Sequence, residues 1–280
     1  MASKRRLLRA CLLKNGRVLA IGGLSSSGVY LATTELLNLT SNSWSYSGTM
    51  NSQRGIHTAS LLADGYVLVA GGRTFSGPLN TAELYDPTTG NWTLTKTLNR
   101  PHSGHIESIL SNGKILIAGG LSTGDICTNT AELYDRTTGN WTMTNSMNYA
   151  RDQATASALA DGKVLVAGGR GTLNALNTAE VYDPTTGNWT MVSNMTFARY
   201  AHRASILKNG KVFITGGINE NGDTLNTAEL YDPTTDIWTT IENMSFSRYW
   251  HSSTLLDNGR VLIAGGTDGT VALNSVEIYT

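Results

Sequence analysis

Asp161-Gly162-Lys163-Val164-Leu165-Val166-Ala167-Gly168-Gly169 joins a turn, an apolar run and a glycine pair. Asp-Gly reads as a tight hairpin turn, and Val-Leu-Val-Ala, with no polar alternation, reads as a strand covered on both faces. The glycine pair returns at Gly22-Gly23, Gly71-Gly72, Gly119-Gly120, Gly216-Gly217 and Gly265-Gly266, at intervals of 48 or 49 residues. A near-constant period of this length signals an array of equivalent supersecondary units running end to end.

Working outward from the pair, Asn-Thr-Ala-Glu-Leu-Tyr-Asp-Pro-Thr-Thr stands nearly verbatim at Asn80 to Thr89 and at Asn226 to Thr235. A tryptophan follows at Trp44, Trp92, Trp141, Trp189 and Trp238. Measured back from the hairpin glycines Gly16, Gly65, Gly113, Gly162, Gly210 and Gly259, one slot holds Arg5, Arg54, Arg151, Arg199 and Arg248, and another holds His57, His105, His202 and His251. This combination resembles the kelch repeat, and the resemblance covers essentially the whole chain. It implies an all-β, six-bladed kelch-type β-propeller with four antiparallel strands per blade. The blades are expected near residues 5–49, 52–98, 100–147, 149–195, 197–244 and 246–280, as one domain over 1–280.

Strand A is expected to end three residues before the hairpin glycine, as in His57 to Leu62, and strand B to run into Gly-Gly. Strand C is Thr81 to Asp86 and its equivalents, and strand D begins at the tryptophan. Mid-strand residues are small in A, as in Ala59-Ser60 and Ala204-Ser205, and large in C and D, so strand A should be innermost and line the channel. In the last blade strand C, Ser275 to Thr280, has no Trp strand after it, and too few residues precede Arg5 to supply one. The last blade should therefore lack its outermost strand. A shortened chain is the expected reason, and strand addition by another chain at this open edge is the alternative.

Lys+Arg and Asp+Glu both number 21, so there is no global field to draw a polyanion. No nucleic-acid partner is expected. No apolar run approaches the roughly 20 residues that span a bilayer, so no membrane insertion is expected. Lys4, Arg5, Arg6, Arg9, Lys14 and Arg17 form a basic start, but Arg9 interrupts its apolar stretch. That start reads as the first strand of the first blade, not as a targeting signal. Cys11 fills a slot held elsewhere by Ser60, Ser108, Ser157, Ser205 and Thr254, which points to a small packed residue. With Cys127 in another blade, no disulfide framework is expected, compatible with a reducing compartment. A cytoplasmic location follows if the chain is complete, and an extracellular one if a signal precedes it. Asn38, Asn91, Asn140, Asn188, Asn194 and Asn243 begin Asn-x-Ser/Thr sequons, which matter only on a secretory route.

Features present once per blade should serve the blade. Glu35, Glu83, Glu132, Glu180, Glu229 and Glu277 recur in strand C, and both they and the arginines read as serving inter-strand or inter-blade pairing, the alternative for the arginines being an anion site at the channel mouth. The histidines sit on separate blades, too far apart to meet one ion at the roughly 2.0–2.1 Å that zinc requires. Neither metal nor cofactor is expected. A binding site should appear where the copies differ. In blade three His102 replaces the arginine, and Glu107 takes a slot held by Ala10, Ala59, Ala156, Ala204 and Ser253. Arg9 and Arg203 stand where Thr58, Thr155 and Ser252 do. These four charges, Arg9, His102, Glu107 and Arg203, are expected to face a water-filled channel. A second group lies in the loops entering strand A and leaving strand B: Arg73, Tyr149, Arg170, Tyr200, Tyr249 and Trp250, with Phe197 and Phe246. Aromatics and arginines presented together make interface anchors.

The reading that follows is a noncatalytic scaffold binding a protein or peptide partner through its loop-rich face, the role the kelch resemblance implies. One alternative is a sugar-active propeller resembling the mutarotases, with His105 and Glu107 on one strand face as an acid/base pair. Another is an extracellular glycan binder using the aromatic loops. No P-loop, dinucleotide fingerprint, zinc motif or nucleophile elbow is present.

Overall fold

The computed structural model describes residues 1 and 3–279; Thr280, the last residue of the expected final strand, lies outside them. The chain forms two compact units, Met1–Ile126 with Ala131–Thr144, and Cys127–Thr130 with Asn145–Thr280. Each carries three blades.

In the first unit the blades are Arg9–Leu12, Val18–Ile21, Thr33–Asn38 and Ser43–Thr49; then Thr58–Leu61, Val67–Ala70, Ala82–Tyr85 and Trp92–Leu94; then Ile106–Ile109, Ile115–Ala118, Ala131–Asp135 and Asn140–Thr144. In the second they are Thr155–Ala158, Val164–Ala167, Ala179–Asp183 and Asn188–Val192; then Arg203–Ile206, Val212–Thr215, Ala228–Asp232 and Ile237–Ile241; then Ser252–Leu255, Val261–Ala264 and Val276–Tyr279. All pairings are antiparallel between consecutive strands. The fold is thus an all-β, six-bladed propeller whose last blade has three strands.

In blades two to five the second strand is buried along its whole length, as in Val67–Ala70 and Val164–Ala167, which is why it shows no alternation. Each unit brings its first strands together across blades: Thr58 Oγ1 meets His105 Nε2 at 3.0 Å, Thr155 Oγ1 meets His202 Nε2 at 2.9 Å, and the Ser205 and Ser253 hydroxyls lie 2.6 Å apart. Small residues there let neighbouring sheets approach. At the other end of the sheet in blades two to five the strand C tyrosine stacks on the strand D tryptophan, with ring centroids 5.1 Å apart for Tyr85–Trp92 and 4.8 Å for Tyr231–Trp238.

The A–B hairpin differs from a two-residue turn. Leu62 N donates to Tyr66 O at 2.8 Å and Gly65 N to Leu62 O at 2.9 Å, enclosing a three-residue loop with Gly65 at φ 92°. Asp64 acts through its side chain, accepting Tyr66 N at 3.2 Å. Asp-Gly here is an Asx turn closed by a left-handed glycine.

The Gly-Gly pair is where one blade touches the next. Gly169 N donates to Arg199 O at 2.8 Å and Gly217 N to Arg248 O at 2.9 Å. Gly168 has φ 62°, and a Cβ there would lie 2.6 Å from Arg199 O and 2.7 Å from the His202 ring. Gly168→Ala therefore meets both left-handed strain of about 1–2 kcal/mol and a backbone clash. The expected loss of stability is about 3 kcal/mol or more, read from the urea midpoint; a loss under about 1 kcal/mol would mean the blades can part there freely.

Candidate functional site

The once-per-blade residues build one device. In blade four Arg151 Nη1 donates to Gly168 O at 2.5 Å and Thr178 O at 3.0 Å, while Nη2 donates to Thr178 Oγ1 at 3.2 Å and Glu180 Oε1 at 2.7 Å. Glu180 also accepts Asn148 N, Asn148 Nδ2 and Tyr149 N, at 2.6, 2.7 and 3.0 Å. The buried guanidinium thus ties the glycine pair to strand C, and the carboxylate ties strand C to the loop entering strand A. Arg5–Glu35, Arg54–Glu83, Arg199–Glu229 and Arg248–Glu277 repeat the pair at 2.6–2.8 Å. These charges hold loops at fixed places and are not open to a ligand.

His102 belongs to this device and not to a water-facing set. It is fully buried, its Nδ1 lies 2.7 Å from Gly119 O, and its Nε2 lies 3.5 Å from Glu132 Oε1. It occupies the arginine slot, so its ring fills the arginine's place, and its departure from the repeat does not make it a channel charge. Burial pushes the Glu132 carboxyl up, but bonds from His102, Asn99 and Arg100 outweigh it and hold the group below the ordinary carboxylate value.

Arg9 and Glu107 do share a neighbourhood in the first unit. Glu107 Oε1 accepts the Ser60 hydroxyl, and Oε2 has no protein partner among the described residues. Burial pushes this carboxyl up to about 7, only partly offset by Thr58 and the Arg9 charge. It can therefore exchange a proton near neutral pH. Arg9 Nε donates to His57 O at 2.9 Å. Arg9 also replaces the threonine that would serve His57, whose ring nitrogens find no protein partner among the described residues, unlike His105 and His202. In the second unit Arg203 occupies the same threonine slot, and His251 instead meets Thr215 Oγ1 at 2.9 Å.

The loop residues of the second unit come together. Asp152 and Arg170 exchange backbone bonds of 2.9 and 2.7 Å, and Arg170 grips the buried Asp152 carboxylate through Nε at 3.1 Å and Nη2 at 2.9 Å. Those bonds raise the Arg170 pKa further, so the group is always charged. Its guanidinium lies 5.8 Å from the Tyr200 ring centroid. Tyr249 meets Trp250 edge to face at 5.0 Å, and Trp250 Nε1 donates to Gln153 Oε1 at 3.2 Å. Trp250 is 52% exposed. Cys127 closes the inner side by donating its thiol to Arg170 O at 3.3 Å, and burial pushes it up to about 11, so it is not a nucleophile.

The loops share a feature that composition does not announce. Gln153, Ala201 and Trp250 all have left-handed backbone, at φ 52°, 56° and 54°. They are linked in series, Ala201 N to Gln153 O and Trp250 N to Ala201 O, both at 3.1 Å. Leu7, Ile56 and Gly104 hold the same slot in the first unit, where Ile56 N donates to Leu7 O and Gly104 N to Ile56 O, again at 3.1 Å. A non-glycine residue in this conformation stores strain that the surroundings must enforce. Here the inter-blade bonds enforce it, while the side chain differs in every copy. Gly104 was the one sequence sign of the conformation.

Of the remaining candidates, Arg73 lies in the first unit and pairs with Asp125 at 3.1 Å. Tyr149 sits on the Glu180 clamp through its N–H, with its ring 45% exposed.

Glycine pairs in all six blades, Arg–Glu ties in five of them with His102–Glu132 in the third, and Tyr–Trp stacks in blades two to five define a kelch-type β-propeller. The chain belongs to the Attractin/LZTR1 β-propeller family, whose model matches residues 18–276. A search among curated proteins found no match. Among the described residues no helix is long and apolar enough to cross a membrane, and no cluster of three or more His, Cys, Asp or Glu could hold a metal ion.

Proposed function

We propose that the chain is a noncatalytic scaffold whose second unit binds a protein or peptide partner through Trp250, Tyr249, Tyr200 and Arg170. The observation that carries this reading is Trp250. Its indole is exposed, its backbone is fixed in a strained conformation by Ala201, and its N–H is fixed by Gln153. An aromatic ring so held loses little conformational freedom on binding, which is what an interface anchor requires. Arg170 supports the same use: Asp152 offsets its charge and orients its plane, leaving a flat, neutralised surface beside the aromatics. The family fold is consistent with a scaffold role.

Trp250→Ala should leave the urea midpoint within about 1 kcal/mol equivalent, since its indole is substantially exposed, whereas Arg170→Ala strands the buried Asp152 carboxylate and should cost about 1–3 kcal/mol while leaving the protein folded. The double variant should weaken a peptide selected on the intact chain by at least about 2 kcal/mol, roughly thirtyfold. Unchanged affinity in the folded double variant would remove the site.

A further inference from the structure

Arg136 fills a wedge between two blades of the first unit. It follows strand C of blade three and reaches back to blade two, where its Nε donates to Asp64 Oδ2 at 2.8 Å and its guanidinium carbon lies 5.0 Å from the Tyr66 ring centroid. Asp64 and Tyr66 flank the hairpin glycine Gly65, so an arginine side chain closes the A–B turn of one blade against strand C of the next.

The second unit has the same wedge without the arginine. Between blades four and five Asp161 takes the slot of Asp64, Lys163 that of Tyr66, and Pro233 that of Arg136. A cleft of about 480 Å³ lies there, with Leu159, Val181 and Met191 on its apolar side and Asp161, Asp183 and Asp236 as its carboxylates. In the other hairpins the slot before the glycine holds asparagine, at Asn15, Asn112, Asn209 and Asn258. Of the aspartates in this slot, Asp64 is answered by Arg136 and Asp161 faces a proline.

Blade five adds charge to the cleft. Asp236 replaces the turn glycine held by Gly90, Gly139 and Gly187, and keeps its left-handed backbone at φ 55°. Its carboxylate accepts Ser193 N and the Tyr231 hydroxyl, both at 3.0 Å. Lys163 is the one cation among the lining residues, and it meets Asp161 at 3.2 Å with side chains 43% and 52% exposed, a contact of little strength. Burial, the bond to Asp236 and the charges of Asp236, Asp232 and Asp161 all push the Tyr231 hydroxyl up. For its counterpart Tyr134 burial pushes up and the Arg136 charge pulls back down. The wedge of the second unit lacks that compensating guanidinium.

We infer that this cleft receives an arginine side chain of a partner polypeptide, its stem over Leu159, Val181 and Met191 and its guanidinium against Asp161, in the manner of Arg136 on Asp64. A guanidinium presents a carboxylate with a planar fork that an ammonium lacks. Free arginine fits less well, because its α-carboxylate would lie among three aspartates. Neither Trp250 nor Arg170 lines the cleft, so this inference and the loop-face reading stand or fall separately.

The test titrates the isotope-labelled full chain with Nα-acetyl-arginine amide and follows backbone amide shifts by nuclear magnetic resonance. Saturable shifts at Asp161, Lys163 and Asp236 are expected, and the uncharged isostere Nα-acetyl-citrulline amide should bind at least about fivefold more weakly. Asp161→Asn should weaken the arginine amide by a similar factor, while the Trp250→Ala, Arg170→Ala chain should bind it as the parent does. Pro233→Arg, which gives blade five the residue that blade three has, should abolish binding with the urea midpoint unchanged. Absence of saturable shifts, equal binding of the citrulline amide, or binding that survives Pro233→Arg in a folded chain overturns the inference. So does tighter binding of free arginine, which would make the ligand the amino acid, or self-association that moves the same amides without the probe, which would make the occupant a second copy.

Discussion

Replacing Arg199 with alanine is expected to lower the unfolding free energy by about 3–5 kcal/mol. The guanidinium donates to Gly216 O at 2.7 Å, Thr227 O at 3.1 Å, Thr227 Oγ1 at 3.0 Å and Glu229 Oε1 at 2.8 Å, all out of water. Its loss leaves the Glu229 carboxylate buried with only the N–H groups of Thr196 and Phe197 for support. The cost is the stranded charge as much as the lost bonds. Replacing both partners, Arg199→Met with Glu229→Leu, should therefore cost less than Arg199→Ala alone. Urea unfolding of the two variants checks this; a single variant within about 1 kcal/mol of the parent would mean the pair is ornamental.

Acid should unfold the protein from an unusually high pH. Burial, followed by nearby arginine charges, pushes His251 down to about 3 from its ordinary 6.5, and His57, His105 and His202 also lie well below that value. Above pH 6.5 these rings are neutral in both states and contribute no pH dependence. Below it the unfolded chain binds protons that the folded chain refuses, so stability falls as pH falls, by about 1.4 kcal/mol per unit for each ring. Glu107 acts in the opposite sense. Its folded value of about 7 lies above its ordinary 4.5, so between these the folded state binds the extra proton and gains stability as pH falls. Four rings against one carboxyl leave a net fall in stability as pH drops from 6 to 5. Glu107→Gln should make that fall steeper and should stabilise the protein at pH 8. Urea midpoints at pH 8, 7, 6 and 5 decide it, and a flat profile from 7 to 5 would contradict the buried neutral rings.

The blades were legible because their signals repeat. Gly168-Gly169 with Glu180, Tyr182 and Trp189 recurs at a fixed spacing, and self-comparison alone separates what each blade needs from what one blade adds. The same logic leads to the three-stranded last blade and to a structural role for the repeated arginines and glutamates, while that they pair with one another is seen only in three dimensions. It fails for His102, because departure from the repeat marks a binding residue only where the replacement does not do the same work; here the ring takes the arginine's place beside Glu132. The left-handed residues are invisible in sequence because Leu7, Ile56, Gln153, Ala201 and Trp250 share no residue type and none is the glycine or asparagine that usually marks positive φ. Their conformation is set by bonds between blades, which no local pattern records. Tyr200, Tyr249, Trp250 and Arg170 were found as types suited to binding, but what joins them, Asp152 and Gln153, became visible only in three dimensions.

The central claim is that residues repeated in every blade hold the propeller together while the unrepeated loop residues of the second unit bind. Selecting peptides from a random library on the intact chain, then measuring each on the Trp250→Ala, Arg170→Ala chain and on Tyr149→Ala, tests it most directly. The account predicts that most selected peptides lose at least about thirtyfold in affinity on the double variant and little on Tyr149→Ala. Peptides that bind all three chains equally would contradict it.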